Sequence, residues 1–155
     1  MPAVVIEIAD AVVAAMNAKS DAGELSERFA AERLYVPIHR AEELTDLRVS
    51  VVPRELSMVI LTRGSDDFTY TIDVAVQKKI GQGKMTPAEI KAACDPLMLL
   101  SEEIADLFRG REFLASIPGR FVGLTNSPIF VPDHLDEHRV FTGVVSPQFR
   151  AARAK

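Results

Sequence analysis

The chain has 155 residues, of which 48% are hydrophobic and 26% are charged, as is typical of one folded domain with a single core. Its net charge of −4 gives no global electrostatic attraction to nucleic acid, and its single cysteine, Cys94, excludes an internal disulfide. No apolar run approaches the ~18 residues that span a bilayer, and the N-terminus lacks the basic region of a signal peptide, so we expect neither feature.

The first part of the chain predicts a helix and then a strand. In "AVVIEIADAVVAAMNAK" the apolar residues recur at spacings of three and four, which predicts a helix from about Val4 to Ala18. "SERFAAERLYVP" alternates best near its end and predicts a strand that closes at Pro37. "HRAEELTDL" is a polar connector with room for one helical turn, and we expect its His39 at the surface.

A long β-hairpin follows. Residues 48–53 ("RVSVVP") and 57–63 ("SMVILTR") predict two short strands, the first closed by Pro53. "GSDD" has residues that favour a turn and lies between two apolar runs, so we expect the second strand and "FTYTIDVAVQKK" to form a hairpin. Its return arm is long enough to project beyond the body of the domain.

The return arm has two unlike faces, because successive side chains of a strand point to opposite sides. The apolar set is Tyr70, Ile72, Val74 and Val76. The small or polar set is Thr71, Asp73, Ala75 and Gln77. We expect the apolar set to meet the helices and the polar set to face outward.

A capped helix comes next. Thr86 is a good N-cap, Pro87 suits the first helical position, and Glu89 completes a capping box. The apolar face then continues to position 109. Pro96 lies inside this pattern and predicts a kink or a split, with Asp95 capping the second part.

The remaining chain predicts strands near residues 121–125, 129–131 and 137–149, followed by a frayed basic tail at 151–155. Hairpins dominate, and strands do not alternate with helices. We therefore expect one α+β domain over residues 1–150. It has a mostly antiparallel sheet with a long β-hairpin, packed on one face by the N-terminal helix and the central helix, and open on the other.

Two segments bear on phosphate binding. "GQGKMT" lacks the first glycine and the Ser/Thr of a phosphate loop, since Lys78 and Met85 stand at those positions, so we expect a flexible loop at 81–85. Lys78 and Lys79 at the strand end, with Lys84, form a basic spot that either contacts phosphates or is simply solvated.

"DHLDEH" is the candidate metal site, with the possible ligands Asp133, His134, Asp136 and His138. Histidines four positions apart suit a metal when they lie on a helix. Pro132 and the strand that follows argue against a helix here, and the sequence places no third ligand, so a solvated acidic loop is the alternative.

Neither the cysteine nor the carboxylates form a catalytic pattern. Cys94 falls on or beside the apolar face of the central helix, which predicts a buried, inert thiol. Glu102, Glu103 and Asp106 form an acidic helix face with no identifiable group opposite them. The sequence thus predicts no cofactor and no catalytic residue; an exposed sheet face, a projecting hairpin and edge strands favour assembly.

The order of the segments resembles that of a known protein family over nearly the whole chain. Its strongest parts are "VSVVPRE", "YTIDVAVQKKI" and "EEIADLFRGR". In these the chain resembles small tail-completion proteins at the head–tail junction of tailed bacteriophages and prophages, and most closely the tail terminators.

The resemblance implies a structural virion protein and not an enzyme. Tail terminators form a ring, commonly a homohexamer, on the head-proximal end of the tail tube. The ring stops tube polymerisation and joins the tail to the head–tail connector or stopper protein, with double-stranded DNA passing non-specifically through its lumen. The implied location is the virion neck, after assembly in the cytoplasm of the bacterial host, with no membrane contact.

Within that resemblance, Thr71, Asp73, Ala75 and Gln77 become the expected oligomer interface, and Lys78, Lys79 and Lys84 the lumen-facing or phosphate-facing cations. Three alternatives stay open. One is a head-closure or neck ring protein of the same junction, and another is a tail component of a gene-transfer agent or defective prophage. The third, from a different class, is a small metal-dependent enzyme using Asp133, His134 and His138.

Overall fold

The computed structural model describes residues 2–36 and 42–154. Its helices are α1 (Val4–Asp21), α2 (Pro87–Leu107), α3 (Arg111–Ala115) and α4 (Pro132–His138), and a 3₁₀ turn spans Glu43–Thr45. Its strands are β1 (Ala31–Arg33), β2 (Arg48–Thr62), β3 (Ser65–Lys79), β4 (Arg120–Thr125) and β5 (Val140–Ala154). The predicted α+β class is confirmed.

The five strands form one sheet in the order β1-β2-β3-β5-β4. Only the pairing of β1 with β2 is parallel, and the other three are antiparallel. The three central strands each have 15 residues, and β2 and β3 form the predicted hairpin. The sheet is therefore built around long strands, flanked by short strands at its two edges.

One face of the sheet carries the core. The predicted apolar row of β3 packs there against α1 and α2. The fully buried side chains from the helices are Ile8, Val12, Met16, Leu100, Ile104 and Phe108. Phe108 also has its ring centroid 5.1 Å from that of Phe113 and 6.3 Å from that of Phe149, which ties the end of α2 to α3 and β5. Burial of each such side chain is worth ~1.5–3 kcal/mol.

Helix α2 lies unusually close to β5 at Gly143. A Cβ atom at that position would stand 2.9 Å from Ser101 Oγ and 3.1 Å from the Phe141 ring, closer than packed atoms allow. Ser101 Oγ donates to the Leu97 carbonyl within α2, so it is held in place. The absence of a side chain at residue 143 thus sets the spacing between this helix and the sheet.

The two short strands predicted at 48–53 and 57–63 are one continuous strand, β2, with a register shift between Pro53 and Glu55. The Val51 carbonyl points away from β3, because it accepts from Leu34 N. Groups two residues apart point the same way, so the nitrogen of Pro53 also faces the outer edge. No bond to β3 is lost there, and the proline does not end the strand.

The strand predicted over residues 26–37 is reduced to the three residues of β1, and its predicted end at Pro37 lies outside the described residues, as does His39. Side chains of α1 bind the preceding backbone instead. Ser20 Oγ bonds both the amide and the carbonyl of Phe29 at 2.9 Å, and Asn17 bonds both backbone groups of Ala31. These bonds attach the backbone at Phe29 and Ala31 to α1, and of these two residues Ala31 also pairs with β2.

Four expectations for the second half are wrong: the split of α2 with its Asp95 cap, the strand at 129–131, the loop at 132–138 and the frayed tail. Helix α2 is continuous through Pro96, so it is not split there and Asp95 caps no second part, while a kink at Pro96 stays a prediction. Pro96 lies on the exposed side of the helix, where the Ala92 carbonyl that it leaves unbonded can meet water. Residues 129–131 form no strand. The expected loop at 132–138 is α4, which begins at Pro132, ends at His138 and is capped by Arg139 with φ 53°. The frayed tail at 151–155 is instead the end of β5 through Ala154, paired with β3.

The capping box of α2 is present, and it gives a direct test of local stability. Thr86 Oγ1 accepts from Glu89 N at 3.2 Å, and Glu89 Oε2 accepts from Thr86 N at 2.9 Å. We expect Thr86→Ala to lower the free energy of unfolding by ~1 kcal/mol, because it removes one of these bonds. Urea denaturation measures this, and Thr86→Ser, which keeps the oxygen, should unfold close to the unmodified chain; equal losses for both would contradict the capping role.

Candidate assembly surface

The outer half of β2 is an unpaired edge of the sheet. Strand β1 pairs with β2 only at residues 49–51, so residues 54–62 have β3 on one side and no strand of the described chain on the other. We call residues 54–62 the hairpin arm. Its side chains are exposed throughout, including five large apolar ones: Leu56 (56%), Met58 (53%), Val59 (61%), Ile60 (67%) and Leu61 (55%).

The arm exposes apolar side chains on both faces. Leu56 and Met58 pair with Tyr70 and Phe68, so they lie on the helix side of the sheet, and Ile60 continues that row. Val59 pairs with Asp67 and lies on the other side. The core ends near Tyr70, which is buried, while Phe68 is only half-buried. The arm therefore projects past the helices that would otherwise cover it.

Such an arm is unusual on a protein that stays alone. Residues 56–62 carry no charge, and an uncharged edge strand offers a row of backbone donors and acceptors to another chain. Full burial of an aliphatic side chain is worth ~1.5–3 kcal/mol, so five roughly half-exposed ones leave several kcal/mol available to a partner. The arrangement suits protein association better than chemistry on a small molecule.

The interface predicted on β3 has a different environment from the expected one. Thr71, Asp73, Ala75 and Gln77 do share the face away from the helices. Three of them are buried within the protomer: Thr71 is 5% exposed, Ala75 0% and Gln77 4%. Asp73 is half-buried, and its Oδ1 accepts from Ser146 Oγ at 2.6 Å and from Arg54 at 3.4 Å. The expectation that this row faces outward is wrong.

The protomer itself covers part of this second face. The 3₁₀ turn contacts β3, and its Leu44 is buried outside the main core cluster. Gln77 Nε2 donates to Thr142 Oγ1 at 3.4 Å, and His134 Nδ1 lies 2.9 Å from the same hydroxyl. The sequence missed this cover because the connector before β2 is polar, and its one buried leucine is not part of a repeating pattern.

The three predicted cations do not converge on one site. Lys78 and Lys79 are consecutive on β3 and so point to opposite faces, although both border a shallow cavity of about 260 Å³ beside Glu27. Lys84 is exposed in the loop between β3 and α2. Arg139 reaches that loop, where its Nε donates to the Gly83 carbonyl at 3.0 Å. The loop is thus anchored at one point, and sequence reasoning did not identify the arginine that holds it.

The candidate metal ligands do lie on a helix, contrary to expectation, yet they do not converge. His134 Nδ1 is engaged with Thr142, while the side chain of His138 is 66% exposed, 3.8 Å from Glu137. Asp133 and Asp136 are exposed. Across residues 2–36 and 42–154, no group of three or more histidine, cysteine or acidic side chains is arranged to hold a metal ion.

Cys94 borders a mostly apolar cavity of about 220 Å³ between α2 and α4, which we call the α2–α4 pocket. Its apolar lining is Ile90, Cys94, Met98, Phe130, Leu135 and Phe141, and Asp95 completes the wall. The thiol is half-buried and not fully buried as expected. Burial raises the pKa of the Cys94 thiol, and the neighbouring Asp95 charge raises it further, which disfavours the nucleophilic thiolate.

No protein-family model matches the chain, and no curated protein matches it. Among the described residues, no helix is both long and apolar enough to cross a membrane. The unbroken run "MVIL" was the signal of the hairpin arm in the sequence, because apolar residues without alternation occupy both faces of a strand.

The buried state of Ala75 makes a testable distinction between the β3 face and the arm. Ala75→Glu should lower the free energy of unfolding by ~3 kcal/mol, because it buries a charge without a partner. Ser57→Glu adds the same charge on the same side of the sheet, at an exposed position of the arm, and should change stability by less than ~0.5 kcal/mol. Urea denaturation of both variants measures this; equal effects would contradict the assigned burial.

Proposed function

We propose that this protein is a structural component of a bacteriophage tail that assembles as a ring and terminates the tail tube at its head-proximal end. The observation that carries the proposal is the hairpin arm, an edge strand with five exposed apolar side chains and no charge in residues 56–62. The resemblance of "VSVVPRE", "YTIDVAVQKKI" and "EEIADLFRGR" to tail terminators supplies the biological setting. The confirmed α+β fold, with its long hairpin, is compatible with it.

Ring formation requires two unlike patches on each copy, because a heterologous contact repeats around an axis until it closes. The arm is one such patch, and it lies at one end of the sheet. An isologous pairing of two arms would use the same patch twice and stop at a dimer. The proposed ring therefore predicts a closed oligomer larger than two, most simply the homohexamer of the resembled group, with tail tube protein and connector protein as its neighbours.

Replacing an apolar side chain of the arm by a charged one should prevent assembly and leave the fold of the protomer unchanged. Ile60 is 67% exposed, so Ile60→Asp should leave the protomer folded while it places a charge where a neighbour would bury it. We expect the unmodified chain to elute as a closed oligomer and the variant as a monomer with an unchanged circular dichroism spectrum. Size-exclusion chromatography with light scattering measures the mass.

The matched control is Ala88→Asp, which adds the same charge at an exposed position in the first turn of α2. It should assemble like the unmodified chain. A monomeric unmodified chain at all concentrations would refute the proposed ring, and a variant at Ile60 that still assembles would remove the arm from the interface.

The proposed role as a tail terminator can be tested separately, in phage particles. A protein that stops tube polymerisation should, when its gene is deleted, leave tubes that continue to grow, so electron microscopy should show overlong tails without heads. The Ile60→Asp variant should reproduce that phenotype, and Ala88→Asp should not. Tails of normal length after deletion would exclude a terminator. In that case, if full heads fail to join normal tails, the protein is the head-closure ring of the same junction.

A further inference from the structure

Two apolar surface features of the described chain lie at opposite ends of the same sheet. One is the hairpin arm, where Met58 and Ile60 extend the helix side of β2 beyond the core. The other is the α2–α4 pocket, which is walled on the sheet side by Phe141. Ile129, next to Phe130 in the chain, is 50% exposed and extends the apolar surface there. Each feature is a patch that a lone protomer leaves in water.

The geometry prevents the arm from filling the pocket of its own chain. Ile60 pairs with Asp66 and Phe141 pairs with Lys78, so the two features are separated by most of the length of β3. At ~3.3 Å per residue that separation is about 40 Å. Both features are attached to the same continuous ladder of hydrogen bonds, which cannot fold back on itself. An arm in this pocket must therefore come from another copy.

The pocket has the size and chemistry of an anchor site for an aliphatic side chain. Its volume is about 220 Å³, and six of its seven lining residues are apolar or a thiol. Cavities of ~150 Å³ with such walls take up a benzene-sized apolar group. A straight or branched aliphatic side chain of the arm matches that description, and no charge in residues 56–62 would have to be buried with it.

Charges of both signs border the arm, and an acid borders the pocket. The turn that ends the arm carries the exposed Arg63, Asp66 lies opposite Ile60 on β3, and the pocket wall includes Asp95. Charges at the rim of such a contact guide orientation more than they add affinity. The apolar anchor supplies the attraction.

We propose that the hairpin arm of one copy inserts Met58 or Ile60 into the α2–α4 pocket of the next copy. This rests on the proposed ring and specifies its contact. The arm and the pocket are the two unlike patches that a heterologous interface needs, and because they lie about 40 Å apart on each protomer, every copy can give and receive an arm at once. A second copy of this chain is thus the occupant of the pocket.

The single native cysteine makes this contact directly measurable. Cys94 lines the pocket, so Met58→Cys and Ile60→Cys each give a chain with one thiol on the arm and one in the pocket. A disulfide forms only when the two Cα atoms come within ~7 Å. We expect at least one of the two variants, oxidised with copper phenanthroline at mildly alkaline pH, to give a ladder of cross-linked species on a non-reducing gel. The ladder should extend to the copy number of the ring.

Two controls make the ladder specific. The same variants with Cys94→Ala have one thiol per chain, so they can reach a dimer at most and should lose the ladder. Ser57→Cys places a thiol at nearly the same position along the arm but on the opposite face, where Ser57 pairs with Thr69, and should give no ladder. Light scattering of each variant before oxidation reports whether the oligomer is intact.

The outcomes separate the two proposals. A ladder that depends on Cys94 and on the helix-side face of the arm supports the insertion. An intact oligomer without a ladder from either variant, or with dimers alone, overturns the insertion and leaves the ring standing. An unmodified chain that is monomeric overturns the ring, and the insertion falls with it.

Discussion

The structure depends on a mismatch between the lengths of its strands and its helices. Helix α1 has 18 residues and α2 has 21, which at ~1.5 Å per residue are about 27 and 32 Å long. Strands β2 and β3 have 15 residues each, or about 50 Å when extended. Neither helix alone is long enough to cover such strands from end to end. The core is complete where they overlap, and the strands continue beyond it as a two-sided apolar arm.

The second face of the sheet is arranged differently from the first. It holds Ala75 with no exposed surface, and beside it a group of polar contacts joins Asp73 to Ser146 and Gln77 to Thr142. These side chains are small or make at least one hydrogen bond, although Gln77 Oε1 is buried without a partner. Because this row leaves little surface exposed, association is directed toward the outer end of the sheet.

The sequence predicted the features that depend on local chemistry. The capping box at Thr86 and the alternation in β3 each follow from neighbouring residues, and the α+β class followed from their order. The sequence-based predictions were wrong where tertiary contacts determine the local structure. Pro53 predicts the end of a strand unless its nitrogen is known to face away from the neighbouring strand. Pro132 predicts the absence of a helix unless it is known to occupy the first turn of one. The burial of Ala75 and of Leu44 depends on tertiary contacts that no periodic pattern reveals.

Gly143 has a consequence for the dimensions of the α2–α4 pocket. It does not line the pocket, yet it lets α2 approach β5 so closely that a methyl group there would meet Ser101 Oγ at 2.9 Å. The same helix supplies Ile90, Cys94 and Met98 to the pocket wall. A methyl group at residue 143 would push α2 away from β5 and so move the residues of α2 that line the pocket. The width of the pocket opening therefore depends on the side of α2 that packs on the sheet. Gly143→Ala would therefore change the shape of the pocket without replacing any of its lining residues.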